Sequence, residues 1–216
     1  MKLLSKSILA LSLVALSSGV TASVHQSKTL EEALAEITPP VEEVEVVEEV
    51  VEEPPVVMVK RWVLPGGTSN ESTVLSALQD RGISDRAALA TVMGNIKQES
   101  RFLSNICEGG ARIAYGRCHR GGYGLIQWTT HGRYNGLGRH ARNIGHDPSS
   151  VEAQVSYLFT EVEWKSIEGA LRRGGGTIQY YMSKAYRWLG WGHHGYRTDY
   201  SHQYYSKLVL KEVPAK

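Results

Sequence analysis

From about residue 70 onward, apolar side chains recur along the chain at helical spacing. Ala88, Leu89, Val92, Met93 and Ile96 follow three- and four-residue steps, one face of a helix that Ser84 or Asp85 would cap. Ahead of it, Asn70 or Ser72 caps a helix reaching Arg81 and closed by Gly82. A shorter helix is expected over about 131–143. Pro148 suits a first helical position, and Val151, Val155, Leu158, Phe159 and Val162 carry that helix onward. Thr177 opens another, with Ile178, Tyr181, Met182, Ala185 and Leu189 on one face and Gly190 at its end; a last helix covers about 198–209. Residues 103–128 are rich in Gly and lack this period, so a loop or small hairpin is expected there. The pattern predicts a single, mainly α domain with a small β-hairpin over 62–210. At about 150 residues it is long enough to bury a core. Residues 211–216 form a tail, and no internal repeat is visible.

The first 61 residues read differently. Lys2 and Lys6 precede an apolar run from Ile8 to Leu16, and Val20-Thr21-Ala22 offers small residues for cleavage after Ala22. The run is shorter than the roughly 20 residues that span a bilayer. An export signal over 1–22 is therefore expected, with an uncleaved anchor as its rival; no Cys lies nearby to carry a lipid. Residues 23–61 follow as a linker: Pro39-Pro40, a stretch built almost wholly of Val and Glu, then Pro54-Pro55. Its charge and prolines are expected to leave it disordered. Such a segment leaves open an N-terminal tether to a virion or membrane.

Charge divides along the same line. Residues 29–59 carry ten Glu and no Lys or Arg, whereas residues 60–216 carry 21 Lys plus Arg against 12 Asp plus Glu. A basic domain is drawn to a polyanion, and export turns that expectation away from nucleic acid and toward a cell wall. Cys107 and Cys118 read, in an exported chain, as a disulfide closing a short loop. On the chain-entropy account such a loop is stabilised by roughly 3 kcal/mol. Free, Cys107 with His119 or His131 would suggest a cysteine peptidase; the second cysteine and the export signal argue against it. His193, His194 and His202 lack the spacing of a zinc site. No cofactor and no metal are expected.

Glu99 is the out-of-place residue. It continues the stripe of Val92 and Ile96, so a carboxyl stands where the pattern asks for an apolar group. Burial and the negative end of the helix dipole both push its proton affinity upward. A carboxyl still protonated near neutral pH can donate to a leaving sugar oxygen. About twenty-five residues on, Gly122-Tyr123-Gly124-Leu125-Ile126-Gln127-Trp128 supplies glycines, an amide and two aromatic faces. Alone, a Glu near a helix end is usually a solvated surface residue, and the heptapeptide can be a Gly-rich hairpin with a buried Trp. Trp188, Trp191, Tyr196 and Tyr200 suit either a glycan groove or core packing. A two-carboxylate glycosidase needs a partner acid, for which Glu108, Glu161 and Glu163 are candidates, a salt bridge being the plainer role for Glu161.

Taken together, Gly94-Asn95-Ile96-Lys97-Gln98-Glu99-Ser100-Arg101-Phe102 and Gly122 to Trp128 resemble the phage tail lysozyme family, within the lysozyme-like and lytic transglycosylase superfamily. The resemblance spans roughly residues 70–205. It takes in Thr129-Thr130-His131-Gly132-Arg133-Tyr134 and the later helix with Gln154, Tyr157, Leu158 and Glu161. It implies a lysozyme-like α+β fold with Glu99 as catalytic acid. Ser100, Tyr123, Gly124, Leu125, Gln127 and Trp128 would then line the cleft. Tyr186, within Ala185-Tyr186, is a further candidate, although Arg187-Trp188 does not continue the superfamily's third motif. The segment between Glu99 and Gly124 is longer than the family's and holds the Cys107–Cys118 loop. The implied activity is cleavage of the β-1,4 bond between N-acetylmuramic acid and N-acetylglucosamine in peptidoglycan, by a chain working as a monomer. The alternative is a non-catalytic wall-binding or virion module that keeps the fold.

Overall fold

The structure, a computed structural model, describes residues 56–119 and 121–215. The expected export signal, and the linker up to residue 55, lie outside these. Strand β1 (Met58–Val63) leads into helices α1 (Ser69–Asp80) and α2 (Arg86–Ser100). A long loop with one turn of 3-10 helix at Tyr115–Arg117 follows. Then come α3 (His131–Asn143), α4 (Val151–Leu158), α5 (Val162–Arg173), α6 (Ile178–Leu189), α7 (Arg197–Lys207) and strand β2 (Val209–Pro214). The fold is mostly helical with one small antiparallel sheet, the class read from the sequence. Among the described residues no helix is long and apolar enough to cross a membrane.

Helix α2 is the axis of the core. Every residue from Ala87 to Ile96 is buried, so its middle is enclosed on all sides rather than along one stripe. It packs most extensively against α7, and also against α6 and α1. Gly94 sets the α2–α7 approach: a Cβ there would stand 2.4 Å from Ser201 Oγ and 2.5 Å from the Ser201 backbone nitrogen. Ala gains about 1 kcal/mol over Gly in helix propensity. Backbone cannot rotate away as a side chain can, so overpacking wins, and Gly94→Ala is expected to destabilise the fold by about 1–3 kcal/mol. Thermal unfolding of the variant checks this; an unchanged melting temperature would show that α7 shifts freely.

Several helix limits match their chemistry. Asp85 caps α2 by accepting from Ala88 N, Thr177 caps α6, and Gly190, at φ 61°, ends it. Thr68, rather than Asn70 or Ser72, caps α1 through a reciprocal box with Glu71. Ser150, not Pro148, opens α4.

The expected helix through Val162 is in fact two. Its chain breaks at Phe159–Glu161, where Glu161 turns extended and sends its carboxylate inward, leaving Val162 74% exposed. The second, α5, buries Trp164, Ile167 and Leu171 at steps of three and four, a stripe the sequence reading passed over.

The small sheet, too, is elsewhere than expected, and it is not a hairpin. Among the described residues of 103–128 the only β pairings are isolated bridges, Ile106 to Arg112 and Cys107 to Tyr123. The two-stranded sheet instead joins the ends of the domain, with Met58 opposite Pro214 and Val63 opposite Val209. Its strands run across the boundaries drawn at residues 62 and 210. Gln79 of α1 ties the sheet down by accepting from Trp62 N at 2.8 Å and donating to Trp62 O at 2.9 Å.

Candidate active site

Glu99 is the penultimate residue of α2, and the chain leaves that helix abruptly. Arg101 (φ 52°) and Phe102 (φ 63°) both take left-handed backbone, which costs a non-glycine residue energy. The turn is held from several sides: Phe102 N donates to Ser100 Oγ at 3.1 Å, Asn70 Nδ2 donates to Phe102 O at 2.8 Å, and the Phe102 ring is buried against Tyr204. Among the described residues a third non-glycine lies in this region, Gln127 at φ 53°. Gln127 lines the same cleft as Glu99, and the other two lie two and three residues beyond Glu99; strain of this kind concentrates where geometry is imposed for function.

The cleft encloses about 460 Å³ and is lined by Glu99, Ile126, Gln127, Thr129, Thr130, Arg133, the Leu189–His193 segment and Arg197. The Glu99 carboxyl opens into it with 16% of its side chain exposed. Arg197 Nη2 donates to Glu99 Oε1 from a side chain only 6% exposed. The other arm of that guanidinium donates to the backbone carbonyls of His193 and His194, at 2.9 Å each, and the group lies 4.8 Å over the Trp191 ring. Burial, the strongest influence, raises the Glu99 proton affinity above that of an ordinary carboxyl; the charge and hydrogen bond of Arg197, and the charge of Arg133, pull the other way. Burial wins, so the group holds its proton to a higher pH than a surface glutamate.

The segment 122–128 forms the facing wall, but its members divide. Gln127 lines the cleft and donates from Nε2 to Gly124 O at 2.9 Å, making no hydrogen bond to Glu99. Tyr123, Leu125 and Trp128 are fully buried, so neither ring has a face to offer a sugar. Trp128 Nε1 donates to Glu161 Oε1 at 3.0 Å, and the Tyr123 hydroxyl donates to Ile113 O at 3.0 Å. Ser100 is buried and donates to Leu125 O at 2.8 Å, tying the end of α2 to this wall. Gly124, at φ 73°, takes the left-handed backbone that a glycine allows, and its missing side chain leaves room for a close approach. The neighbour is Gln154: a Cβ would lie 2.4 Å from Gln154 Oε1, which accepts from Leu125 N at 2.8 Å. These side chains shape the cleft from behind.

The aromatic surface comes from elsewhere. Trp191, one of four aromatic candidates in the C-terminal region, lines the cleft on the glycine-bearing segment between α6 and α7. Trp188 is enclosed against Trp164, while Tyr196 and Tyr200 lie outside the lining. Tyr186 is 56% exposed and sets its ring edge against Trp191 at 5.5 Å, beside the cleft rather than in it.

Two of the partner acids sought in the sequence are occupied, and the third stands outside the cleft. Glu161 is buried, gripping Arg133 through two bonds, Nε to Oε1 at 2.7 Å and Nη2 to Oε2 at 2.9 Å, besides the indole of Trp128. Glu108 accepts from Gly122 N at 2.9 Å, and Glu163 is absent from the lining. Among the described residues that line the cleft, Glu99 is the one carboxylate. Cys107 and Cys118 are joined in a disulfide with Cα atoms 5.7 Å apart, and the loop it closes is bonded to the wall through Glu108 and the Cys107–Tyr123 bridge.

Sequence reasoning missed Arg197. It lies 98 positions from Glu99, and nothing local in the sequence distinguishes this buried arginine from those at the surface. The family model for Phage tail lysozyme matches residues 69–208, from the first residue of α1 to just past α7, taking in every cleft residue named above. No curated protein and no solved structure gives a match.

Proposed function

Because the chain belongs to the phage tail lysozyme family, we propose that it is a peptidoglycan glycosidase with Glu99 as its general acid, cutting the β-1,4 bond between N-acetylmuramic acid and N-acetylglucosamine. The observation that carries this reading is a lone, partly buried carboxyl of raised proton affinity at the head of a polar cleft. Protonated Glu99 gives its proton to the glycosidic oxygen as the bond to the muramic C1 breaks. The N-acetylglucosamine leaves as an alcohol carrying that proton, positive charge develops at C1 and the ring oxygen of the muramic ring, and Glu99 is now an anion. With no second carboxylate among the described residues of the lining, the same Glu99 acts next as base. It takes the proton of the muramic C6 hydroxyl, whose oxygen closes on C1 to give a 1,6-anhydro sugar. Trp191 supplies a face for a sugar ring, and the Gln127 amide oxygen can accept from an N-acetyl N–H.

Action is at the cell wall, reached by export or on a virion. Residues 1–22 as leader, 23–61 as linker, 62–210 as catalytic unit and 211–216 as tail belong to the same proposal, with β1 and β2 extending the catalytic unit at both ends. Mass spectrometry of digested peptidoglycan tests it. Fragments ending in 1,6-anhydro muramic acid are expected. Hydrated reducing ends would replace the C6 hydroxyl by water in the second step. Released peptides with intact glycan would overturn the glycosidase reading.

A further inference from the structure

A second hollow lies across α3 from the cleft and shares no lining residue with it. It encloses about 370 Å³ between Tyr115, Cys118, His119, Tyr134, Arg139 and Arg142. Thr130 and Arg133, at the start of α3, face the cleft, while Arg139 and Arg142, toward its end, face the hollow.

The walls of this hollow are fixed. Tyr115 and Tyr134 stack at 4.3 Å, 12° from parallel. Each hydroxyl donates to the other residue's backbone carbonyl, that of Tyr115 at 2.7 Å. Gly138 lets them fit: a Cβ there would stand 2.6 Å from the Tyr115 hydroxyl. The disulfide pins Cys118.

Its charge is uncompensated. Helix α3 contains no Asp or Glu. Where arginines of this fold turn to a carboxylate the pairing is explicit: Arg61 with Asp80, Arg81 with Glu168, Arg133 with Glu161 and Arg197 with Glu99. Arg139 and Arg142 are exposed, and among the described residues no carboxylate lines their hollow. Burial pushes the Tyr115 phenol up while the charges of Arg142 and Arg139 pull it back, which places both guanidiniums within electrostatic reach of that ring. Two like charges three positions apart on a helix repel. An external oxyanion relieves that repulsion, and a planar guanidinium is the cation best shaped to grip a carboxylate through two bonds.

We infer that this hollow is an exosite for the free carboxylates of peptidoglycan stem peptides, engaging a wall strand outside the cleft. The inference rests on the proposed substrate class but not on cleavage. The polymer that offers a neutral sugar bond to Glu99 also carries carboxylates on side branches, and the domain's positive balance is then a binding device as well as a general attraction. Exposed arginine–carboxylate pairs are individually weak, so the exosite adds modestly to binding and is sensitive to salt.

The test is a binding one, made with the full chain carrying Glu99→Gln so that cleavage does not interfere. Sedimentation with purified sacculi freed of other wall polymers compares this chain with one also carrying Arg139→Gln and Arg142→Gln. The pair is expected to weaken binding about five- to tenfold at low salt, with the difference vanishing at high salt. On glycan strands stripped of their stem peptides the two chains should bind alike. Equal binding to stem-bearing sacculi would overturn the exosite. So would an equal deficit on stripped strands, which would make the hollow a part of glycan recognition. A deficit seen only on walls that retain phosphodiester polymers would overturn the stem assignment in favour of that polymer. If the unsubstituted chain binds sacculi but cuts no glycan, the proposed function fails while the exosite stands.

Discussion

Glu99→Gln is expected to abolish wall clearing, lowering the cleavage rate by about a hundredfold or more, the usual contribution of a positioned general acid–base group. The substitution keeps the size of the side chain and an oxygen to accept from Arg197, so the cleft keeps its shape. What it removes is the proton and the base that follows. With no second carboxylate among the described lining residues, no neighbour can take over. Binding to walls should persist, because Trp191, Gln127 and the cleft arginines are untouched. Turbidity clearance and co-sedimentation on the same preparation separate the two, with circular dichroism confirming the fold. Undiminished clearing would put the acid elsewhere. A parent chain that binds but never clears would instead be the non-catalytic wall module.

Arg197→Met is expected to act through the acid rather than on the sugar. Burial raises the proton affinity of Glu99 and Arg197 restrains that rise. Removing the cation leaves burial opposed only by Arg133, so Glu99 binds its proton more tightly still. The acid form is the active form for the first step, and it is lost as pH rises through the group's pKa. The alkaline limb of kcat should therefore move to higher pH. The Glu99 carboxyl and the carbonyls of His193 and His194 lose their common anchor at the same time. Trp191 is then held less firmly, and kcat/KM should fall by about a hundredfold, the scale of an ångström's misplacement at a reacting centre. Arg197→Lys keeps the charge without the fork. It should return the limb toward its original position while leaving KM raised. A limb that stays in place in the methionine variant would show that the ion pair does not govern the acid.

Much of this arrangement can be read from local sequence, because local chemistry decides it. Asp85, Thr177 and Gly190 mark helix ends by capping and by a left-handed turn, each within a few residues of the bonds it makes. Glu99 stands out for the same reason, as a polar group on an apolar stripe. What the pattern cannot show is which aromatic faces the cleft. Trp128 and Trp191 are equal as sequence, yet one is enclosed against Glu161 and the other lies under a guanidinium in the cleft. That difference is set by packing between elements far apart in the chain, as are the Arg197–Glu99 pair and the Arg133–Glu161 pair. The terminal sheet is hidden for a related cause. Its strands lie about 150 positions apart and neither shows a turn signal, since no turn connects them.

That sheet sets the chain's entrance to this domain against its exit. Met58 and Pro214 are cross-strand partners, and neighbouring strands run about 5 Å apart. A few residues would close the gap between them, so the domain has the connectivity of a cassette. It could be spliced into a surface loop of another protein without stretching either junction. It could equally be circularly permuted, with the old ends joined and new ones cut in the glycine run Gly174–Gly176 between α5 and α6, away from the cleft lining.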